Sequence, residues 1–540
     1  MLLILPTQKD AASNLGRFKS TDHADEYGQH CQRVAKATEL KRQPVPRCAG
    51  WLFLVDERSV RRPVVTTTAT RTPVLCVDLD RALLRSDVLW ELIALSLAKN
   101  PLSIIPLVAR LPRGRSRLRL ELAERFSADF SLVPHNTEIV ELVRSARERG
   151  AATVLVTDLS EVHARRVADS ITDFDTVFTV QPEPGVGTPQ RRARQLVAAY
   201  GEQGFDYAGA SRRDLDVWQH ANKAIAVGAG TSVMERLASL GVAHERITTP
   251  PSSLGVWMKQ LRVHQWTKNV LVFVPLLVTL RQRDLTDLAN SALIFAAFCL
   301  MASAVYIFND LSDLGSDRAH PRKQFRPLAS GAISIPRALL AATALAAGSL
   351  ALASLINVMA VGILLLYAAV TAAYSIYIKK VAIADVIVLA GLYTARVAAG
   401  CAALRVYPSI WLLLFSVFIF FSLALMKRCA DITQRGEAMI RRGYIAADRS
   451  ILITLGVTSG VASVMAFCLY VSHQVEGAQF VEPWMLWLIV PLLLLWIARV
   501  WLLTNRGDMQ DDPVTFALSD RISIVIGISV VLIVLAAALI

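Results

Sequence analysis

The chain is poor in charge and carries no cross-linking framework. Only 19% of its 540 residues are Asp, Glu, Lys or Arg. That excludes an intrinsically disordered chain or a nucleic-acid-binding tail, which need a polar, strongly charged composition. Seven cysteines (Cys31, Cys48, Cys76, Cys299, Cys401, Cys429 and Cys468) are scattered without a CxxC pair. Neither a disulfide scaffold nor a zinc site is encoded, and soluble parts facing a reducing cytosol are expected. The nine histidines are dispersed and no GxGxxG loop is present, so metal-histidine and dinucleotide signatures are missing. The opening MLLILP is too short for a signal-peptide core and runs to Asp10. Residues 1–70 lack sustained periodicity and read as a poorly ordered extension.

What is abundant is apolar: 54% of residues are hydrophobic, pointing to a polytopic membrane protein. The length favours at least two units. Lys and Arg outnumber Asp and Glu 57 to 44, a formal net charge of +13. Such a balance suits anionic lipid headgroups or phosphorylated substrates, with no nucleic acid partner, and positive cytoplasmic loops account for part of it.

Hydrophobicity changes near residue 265. From 71 to 245, short apolar runs (Val74–Val77, Thr153–Thr157, Phe205–Gly209, Ala224–Gly228) alternate with amphipathic stretches such as Glu138–Arg149, the pattern of an α/β domain on a parallel sheet. Leu89–Leu111 is apolar but broken by Glu91, Lys99, Pro101 and Pro106, which favours a helical insert on the membrane over a span. Residues 246–264 form a linker or interfacial helix. From 265 to 540 nine candidate spans follow, near 266–280, 290–308, 336–355, 357–377, 384–402, 409–426, 450–471, 484–503 and 522–540. Basic residues crowd the loops after spans two, four and six. By the positive-inside rule those loops and the amino-terminal domain are cytoplasmic, and Ile540 lies outside a multi-pass inner (plasma) membrane protein.

The end of span two reads Asn309-Asp310-Leu-Ser-Asp313-Leu-Gly-Ser-Asp317-Arg318. Offsets of three and four place the three carboxylates on one helical face. Like charges so close call for a divalent cation; oxygen-only ligands favour Mg²⁺, which typically bridges to a substrate diphosphate. Arg318, Arg322, Lys323 and Arg326 follow directly and suit the anion. Further on come Tyr374, Ser375, Lys379 and Asp385, with Arg396 eleven residues beyond Asp385. That spacing sets Arg396 on the same face roughly 16 Å deeper. A charge at that depth belongs in a polar cavity, either with a carboxylate or phosphate partner or in a structural ion pair.

The NDxxDxxxD motif at Asn309–Asp317 resembles that of the UbiA superfamily of intramembrane prenyltransferases, across about 265–540. The resemblance implies Mg²⁺ bound by Asp310, Asp313 and Asp317 and holding a diphosphate leaving group. A second acidic motif, often DxxxD, departs here, because Leu389 stands four residues after Asp385. The pattern is similar to one branch, the decaprenyl-phosphate phosphoribosyltransferases. It comprises Gln265-Trp266-Thr267-Lys268-Asn269, the block Asn309–Gly331, Tyr374 through Lys379 to Asp385 with Arg396, the loop with Lys427, Arg428, Asp431, Arg442 and Tyr444, and Asp511-Asp512-Pro513. The implied reaction moves 5-phosphoribose from phosphoribosyl pyrophosphate to a polyprenyl phosphate and releases pyrophosphate. The implied catalytic residues are Asp310, Asp313, Asp317 and Asp385. The implied substrate contacts are Lys268, Asn269, Asn309, Arg318, Lys323, Arg326, Tyr374, Lys379, Arg396, Lys427, Arg428 and Arg442. Transfer of an isoprenoid from its diphosphate to a small acceptor is the alternative.

Asp78-Leu79-Asp80 closes an apolar strand, the place where α/β folds build sites. With Thr157 and Asp214 it resembles the motifs of haloacid dehalogenase-like phosphatases over roughly 72–245. The lysine of that pattern is missing, the comparable stretch reading Gly187-Thr188-Pro189-Gln190-Arg191-Arg192, so Arg191 or Arg192 is the candidate replacement. The implied role is either a 5-phosphatase acting on the lipid-linked product or a scaffold. The expected whole is thus multi-domain: a haloacid dehalogenase-like (Rossmannoid) α/β domain followed by an all-α, UbiA-like bundle of about nine transmembrane helices.

Overall fold

The computed structural model describes residues 73–100, 115–126, 130–159, 161–171, 174–181, 183, 186–249, 252–435, 443–475, 480–509 and 513–540. The expected extension 1–70, Arg442, Asp511-Asp512 and residues 101–111 of the apolar insert lie outside the described residues.

Six strands, β1 (Val74–Asp78), β2 (Thr153–Thr157), β3 (Thr176–Thr179), β4 (Phe205–Gly209), β5 (Lys223–Val227) and β6 (Ala243–Ile247), form one parallel sheet in the order β3-β2-β1-β4-β5-β6. Leu75 pairs with Thr153 on one side and Asp206 on the other. Strands buried on both faces read as continuous apolar runs. In β1, Leu75 and Val77 enter one core and Cys76 the other. The two strands not read from the sequence, β3 and β6, are the sheet edges. There an exposed face lets β6 carry Ala-His-Glu-Arg-Ile, so the apolar signal disappears.

The α/β region carries α1 (Val88–Lys99), α2 (Arg115–Arg125), α3 (Thr137–Glu148), α4 (Glu161–Ile171), α5 (Thr188–Tyr200), α6 (Leu215–Trp218) and α7 (Thr231–Ser239). Asp87 and Asn136 cap α1 and α3 through the N–H groups of Leu89 and Glu138, satisfying donors that a helix start leaves unpaired. β6 carries the α/β region to Ile247, and α8 (Leu254–Leu261) follows within the expected linker.

Eight helices are long and apolar enough to cross a membrane among the described residues. They are α10 (Leu285–Ser312), α12 (Ile335–Ser354), α13 (Val358–Ile376), α14 (Ala384–Ala403), α15 (Ile410–Arg435), α16 (Arg449–Val475), α17 (Ile489–Arg506) and α19 (Arg521–Leu539), with short α9 (Val274–Val278), α11 (Leu314–Arg318) and α18 (Pro513–Ser519) between them. The first of the nine expected spans is not an apolar α-helix. It is an eleven-residue 3₁₀ segment, Val263–Phe273, continued by α9. Pro275 has no N–H to return to Leu271, whose carbonyl accepts from Val274 instead, a three-residue step. The segment still traverses the bundle: Arg262 at its start pairs with Asp310, and Arg283 beyond its end donates to Leu404 O at the far end of α14. At about 2.0 Å per 3₁₀ residue and 1.5 Å per α residue, it covers roughly 30 Å. Gly400 makes this wall possible, because a Cβ there would strike the Val272 carbonyl and the Pro275 ring. Small residues at helix contacts are how bundles in lipid gain close packing.

The α/β region and the bundle share a core. Ala94 and Trp90 of α1 pack with Ile307, Leu311 and Leu314.

Candidate active site

α10 ends at the bundle rim, and its sequence decides how three aspartates are displayed. Asp313 caps α10 with φ −93° and ψ 7°, breaking the helix before α11. Asp310 and Asp317 therefore stay face to face, while Asp313 turns away. Arg326 Nη1 lies 3.2 Å from Asp310 Oδ1 and 2.6 Å from Asp317 Oδ2. Asp313 instead accepts from Asn309 Nδ2 at 3.3 Å and sits 3.4 Å from Lys379 Nζ. The single-face expectation thus holds for two of the three, because the cap residue lies outside the helical repeat.

Asp310 is the most heavily compensated. Gln260 Nε2 donates to it at 3.0 Å and Arg262 Nη2 at 2.5 Å. Arg262 adopts the left-handed conformation between α8 and the 3₁₀ segment and stacks on Tyr306. Asp317 is buried, and its Oδ1 has no hydrogen-bond partner, Lys323 Nζ standing 3.6 Å from it. Among the described residues no three His, Cys, Asp or Glu side chains converge closely enough to hold a metal ion. The donor set nevertheless fits a hard divalent cation. Its atoms are carboxylate oxygens, one is buried and unpartnered, and the cation now between Asp310 and Asp317 is a part-exposed arginine.

Arg318 leaves this cluster. It forms a two-point ion pair with Glu91 of α1, at 2.7 and 2.9 Å, and donates to Ala329 O. It joins the acidic rim to the α/β region, whereas the motif alone assigns it to substrate.

Asp385, in the first turn of α14, is fully buried and neutralised: Arg428 Nε lies 2.7 Å away and Tyr444 Oη donates at 2.5 Å. Arg428 also reaches Asp431 and the Tyr374 hydroxyl. The Tyr444 hydroxyl accepts from Ile383 N, holding Ile383 at φ +65°, a conformation a β-branched residue adopts only when its surroundings impose it. Arg396 lies deeper and, among the described residues, has no ion-pair partner. It donates to Asn269 Oδ1 at 2.8 Å, Tyr367 Oη at 3.1 Å and Leu392 O at 2.5 Å, and faces the rings of Phe298, Tyr367 and Tyr393. Neutral dipoles and ring faces hold the guanidinium without cancelling its charge. Lys268 and Lys427 are half-buried on the 3₁₀ segment and α15.

A second polar site lies at the carboxyl ends of β1, β2 and β4, where the strand order reverses. A tight, non-helical turn, Leu79–Leu83, with Asp80 extended and Arg81 at φ +65°, follows β1. Asp78 meets Arg192 Nη1 at 3.0 Å, and Asp80 is paired with Arg119 and accepts from Val88 N. Asp158 joins both arginines, at 3.2 Å from Arg192 and 3.8 Å from Arg119. Asp214 lies 3.8 Å from Arg192, but its Oδ2 is tied to the Ala210 and Ser211 amides. Thr157 is buried and accepts from Leu159 N. Asp78, Asp80, Arg119, Asp158, Arg192 and Asp214 line a cavity of about 300 Å³, and Thr157 is not part of its wall. Of the two candidate replacements Arg192 reaches the carboxylates; Arg191 turns to Thr188. Burial pushes the Asp78 and Asp80 carboxyls above the usual range, against the pull of Arg192 and Arg119 respectively. Arg119 and Asp158 escape the sequence reading. Asp158 had a signal, standing directly after Thr157; Arg119 comes from a helix with no recognisable motif.

The UbiA prenyltransferase family model matches residues 270–536. Decaprenyl-phosphate phosphoribosyltransferase of Mycobacterium tuberculosis is 30% identical over 289 residues, 52% of this chain and 94% of that protein. The chain belongs to the UbiA prenyltransferase family. Another relative, the uncharacterized protein y4nM of Sinorhizobium fredii, is 33% identical over 89% of this chain and 94% of its own length. That span takes in the α/β region as well as the UbiA bundle. Among solved structures, a UbiA homolog from Archaeoglobus fulgidus bound to GPP and Mg²⁺ aligns with TM-score 0.42 and 19% identity, covering 52% of this chain and 98% of that one. The chain is an integral membrane protein with a UbiA bundle.

Two outcomes follow from these geometries. Arg428→Gln leaves Asp385 charged and unpaired in the bundle and is expected to cost about 3–5 kcal/mol. Adding Asp385→Asn should recover part of that loss in detergent thermal unfolding, and additive losses would contradict the pairing. In the α/β region the raised carboxyl of Asp78 makes its ionised form costly. Its stabilising contribution is full below the unfolded-state range and is lost as pH rises through its folded-state value. Asp78→Asn should therefore slow amide exchange in β1 and β4 more at neutral pH than near pH 4.

Proposed function

We propose that the bundle transfers 5-phosphoribose from phosphoribosyl pyrophosphate to a polyprenyl phosphate, with release of pyrophosphate. The observation that carries this reading is electrostatic. The rim offers Asp310, Asp313 and Asp317 for a cation, while Asp385 is already neutralised by Arg428. Against them stand Arg262, Lys323, Arg326 and Lys379, and deeper the uncompensated Arg396. Such a surplus of positive charge suits two phosphorylated substrates in one chamber. An isoprenoid diphosphate with an uncharged acceptor would need less of it. The decaprenyl-phosphate phosphoribosyltransferase relative supports the same choice.

Mg²⁺ held by Asp310 and Asp317, and by Asp313 once it leaves Lys379, would supply charge neutralisation to the departing pyrophosphate. Arg326 and Lys323 hold the donor's phosphate oxygens once released from the carboxylates, and Lys379 closes the other side. Arg396, with Asn269 and Tyr367, sets a fixed positive field for phosphate within the bundle, where low dielectric strengthens it. An oxygen of the lipid phosphate forms the new bond to the anomeric carbon as the bond to pyrophosphate breaks, and the leaving group carries away that electron pair. The attacking oxygen is already ionised, so no strong general base is required.

The rim belongs on the cytoplasmic side, where Arg318, Arg322, Lys323, Arg326, Lys379 and Lys380 gather. The Ala537 carbonyl near the end of α19 accepts from Val481 N and Glu482 N, and the charge asymmetry of the loops favours an outer side for Ile540. The α/β pocket supports a hydrolytic role toward a phosphate monoester: Asp78 Oδ1 is buried without a partner, beside a cation, Arg192.

Purified protein with Mg²⁺, labelled phosphoribosyl pyrophosphate and polyprenyl phosphate should form a labelled lipid. The same protein with a prenyl diphosphate and an aromatic acid should form none. Asp310→Asn and Asp313→Asn should each cut the rate by roughly 10²-fold or more without loss of expression, as should chelation of the metal. Full activity in both variants would reject the reading.

A further inference from the structure

The transfer chemistry makes no use of a cavity of about 880 Å³ that lies between the α/β region and the start of α12. Its charge is one-sided. Arg81, Arg85, Arg246 and Arg337 line it, against Asp87 alone, and Asp87 is already engaged by Leu89 N at 3.0 Å and Arg81 at 3.7 Å. Two helices begin at its wall, α7 after Gly230 and α12 after Ser334, and neither N-cap residue offers a side-chain hydrogen bond. Helix starts present unpaired N–H groups and partial positive charge.

Asn136 supplies an independent observation. It is 3% exposed and lines the same cavity. Its Oδ1 accepts from Glu138 N at 3.2 Å, but its Nδ2 is buried without any acceptor. A buried amide donor left unpaired is costly, and here it joins two helix starts and four arginines that outnumber the single carboxylate, Asp87.

We propose that this cavity is a binding site for an organic phosphate, its phosphate oxygens received by Asn136 Nδ2, Arg85 and Arg337 between the two helix starts. One phosphate fills only a fraction of the volume, so the ligand carries a further polar body such as a sugar. Arg81 and Asp87 also line the smaller cavity that holds Asp78 and Asp80, so a ligand seated here faces those carboxylates. Because α12 is a membrane span, the phosphate can arrive on a lipid or on a soluble sugar. The proposal concerns binding and stands apart from the transfer reaction.

The test is titration of the full chain in nanodiscs with ribose 5-phosphate, followed by calorimetry, with and without polyprenyl phosphate in the disc. Saturable binding is expected, weakened roughly 10- to 100-fold by Asn136→Asp or Arg337→Gln. Asn136→Asp keeps the oxygen that caps α3 and replaces only the donor, so thermal unfolding should show a folded protein. Asp310→Asn, which disables the transferase rim, should leave this binding intact. Displacement of the sugar phosphate by polyprenyl phosphate assigns the site to a lipid-borne phosphate, and persistence assigns it to a soluble one; each supports the proposal. Absence of saturable binding, or equal binding by both folded variants, overturns it.

Discussion

Two carboxylates two helical turns apart at the rim of an apolar bundle cannot both stay ionised without a cation between them, and the arrangement around Asp310 and Asp317 answers that constraint. Arg326 bridges the pair, Arg262 and Gln260 cover Asp310, and Asp317 keeps one oxygen buried and unused. An arginine in this position balances charge when no ion is bound and can turn to a phosphate when one is. On the proposed reading the same side chain belongs to both states, so the rim keeps its charge balance whether or not a metal–diphosphate pair is bound.

The α/β region is fastened to that rim. The Glu91–Arg318 pair is buried and two-pointed, and it follows immediately on Asp317 in the chain. The apolar contact of α1 with Ile307, Leu311 and Leu314 lies just beneath it. Any shift of α1 therefore acts on the backbone that displays the aspartates. Two polar cavities, one at the sheet and one at the junction, open within this fastened unit.

Much of this is legible in the chain because the chemistry and the period coincide. The run from Asn309 to Asp317 shows its carboxylates through helical spacing, and the apolar spans show themselves by length. The legible part stops where local geometry breaks the period. Asp313 caps a helix and turns to Lys379; Pro275 and a left-handed Arg262 wind the first crossing as a 3₁₀ segment. Long-range pairings are invisible for a different reason. Nothing near Arg119 announces that it will meet Asp80, nor near Arg318 that Glu91, 227 residues away, will claim it. The edge strands β3 and β6 are hidden because an exposed face removes the apolar signal that strand reading depends on.

The central claim is that the rim carboxylates hold a divalent cation together with a pyrophosphorylated donor. Its most direct test is Mn²⁺ binding to the full chain, read by electron paramagnetic resonance with and without phosphoribosyl pyrophosphate, in an Asp78→Asn background that silences the α/β pocket. The account predicts a bound Mn²⁺ signal that the donor strengthens and that the added pair Asp310→Asn and Asp317→Asn abolishes. An undiminished signal in that variant, or no donor-dependent binding at all, would contradict it.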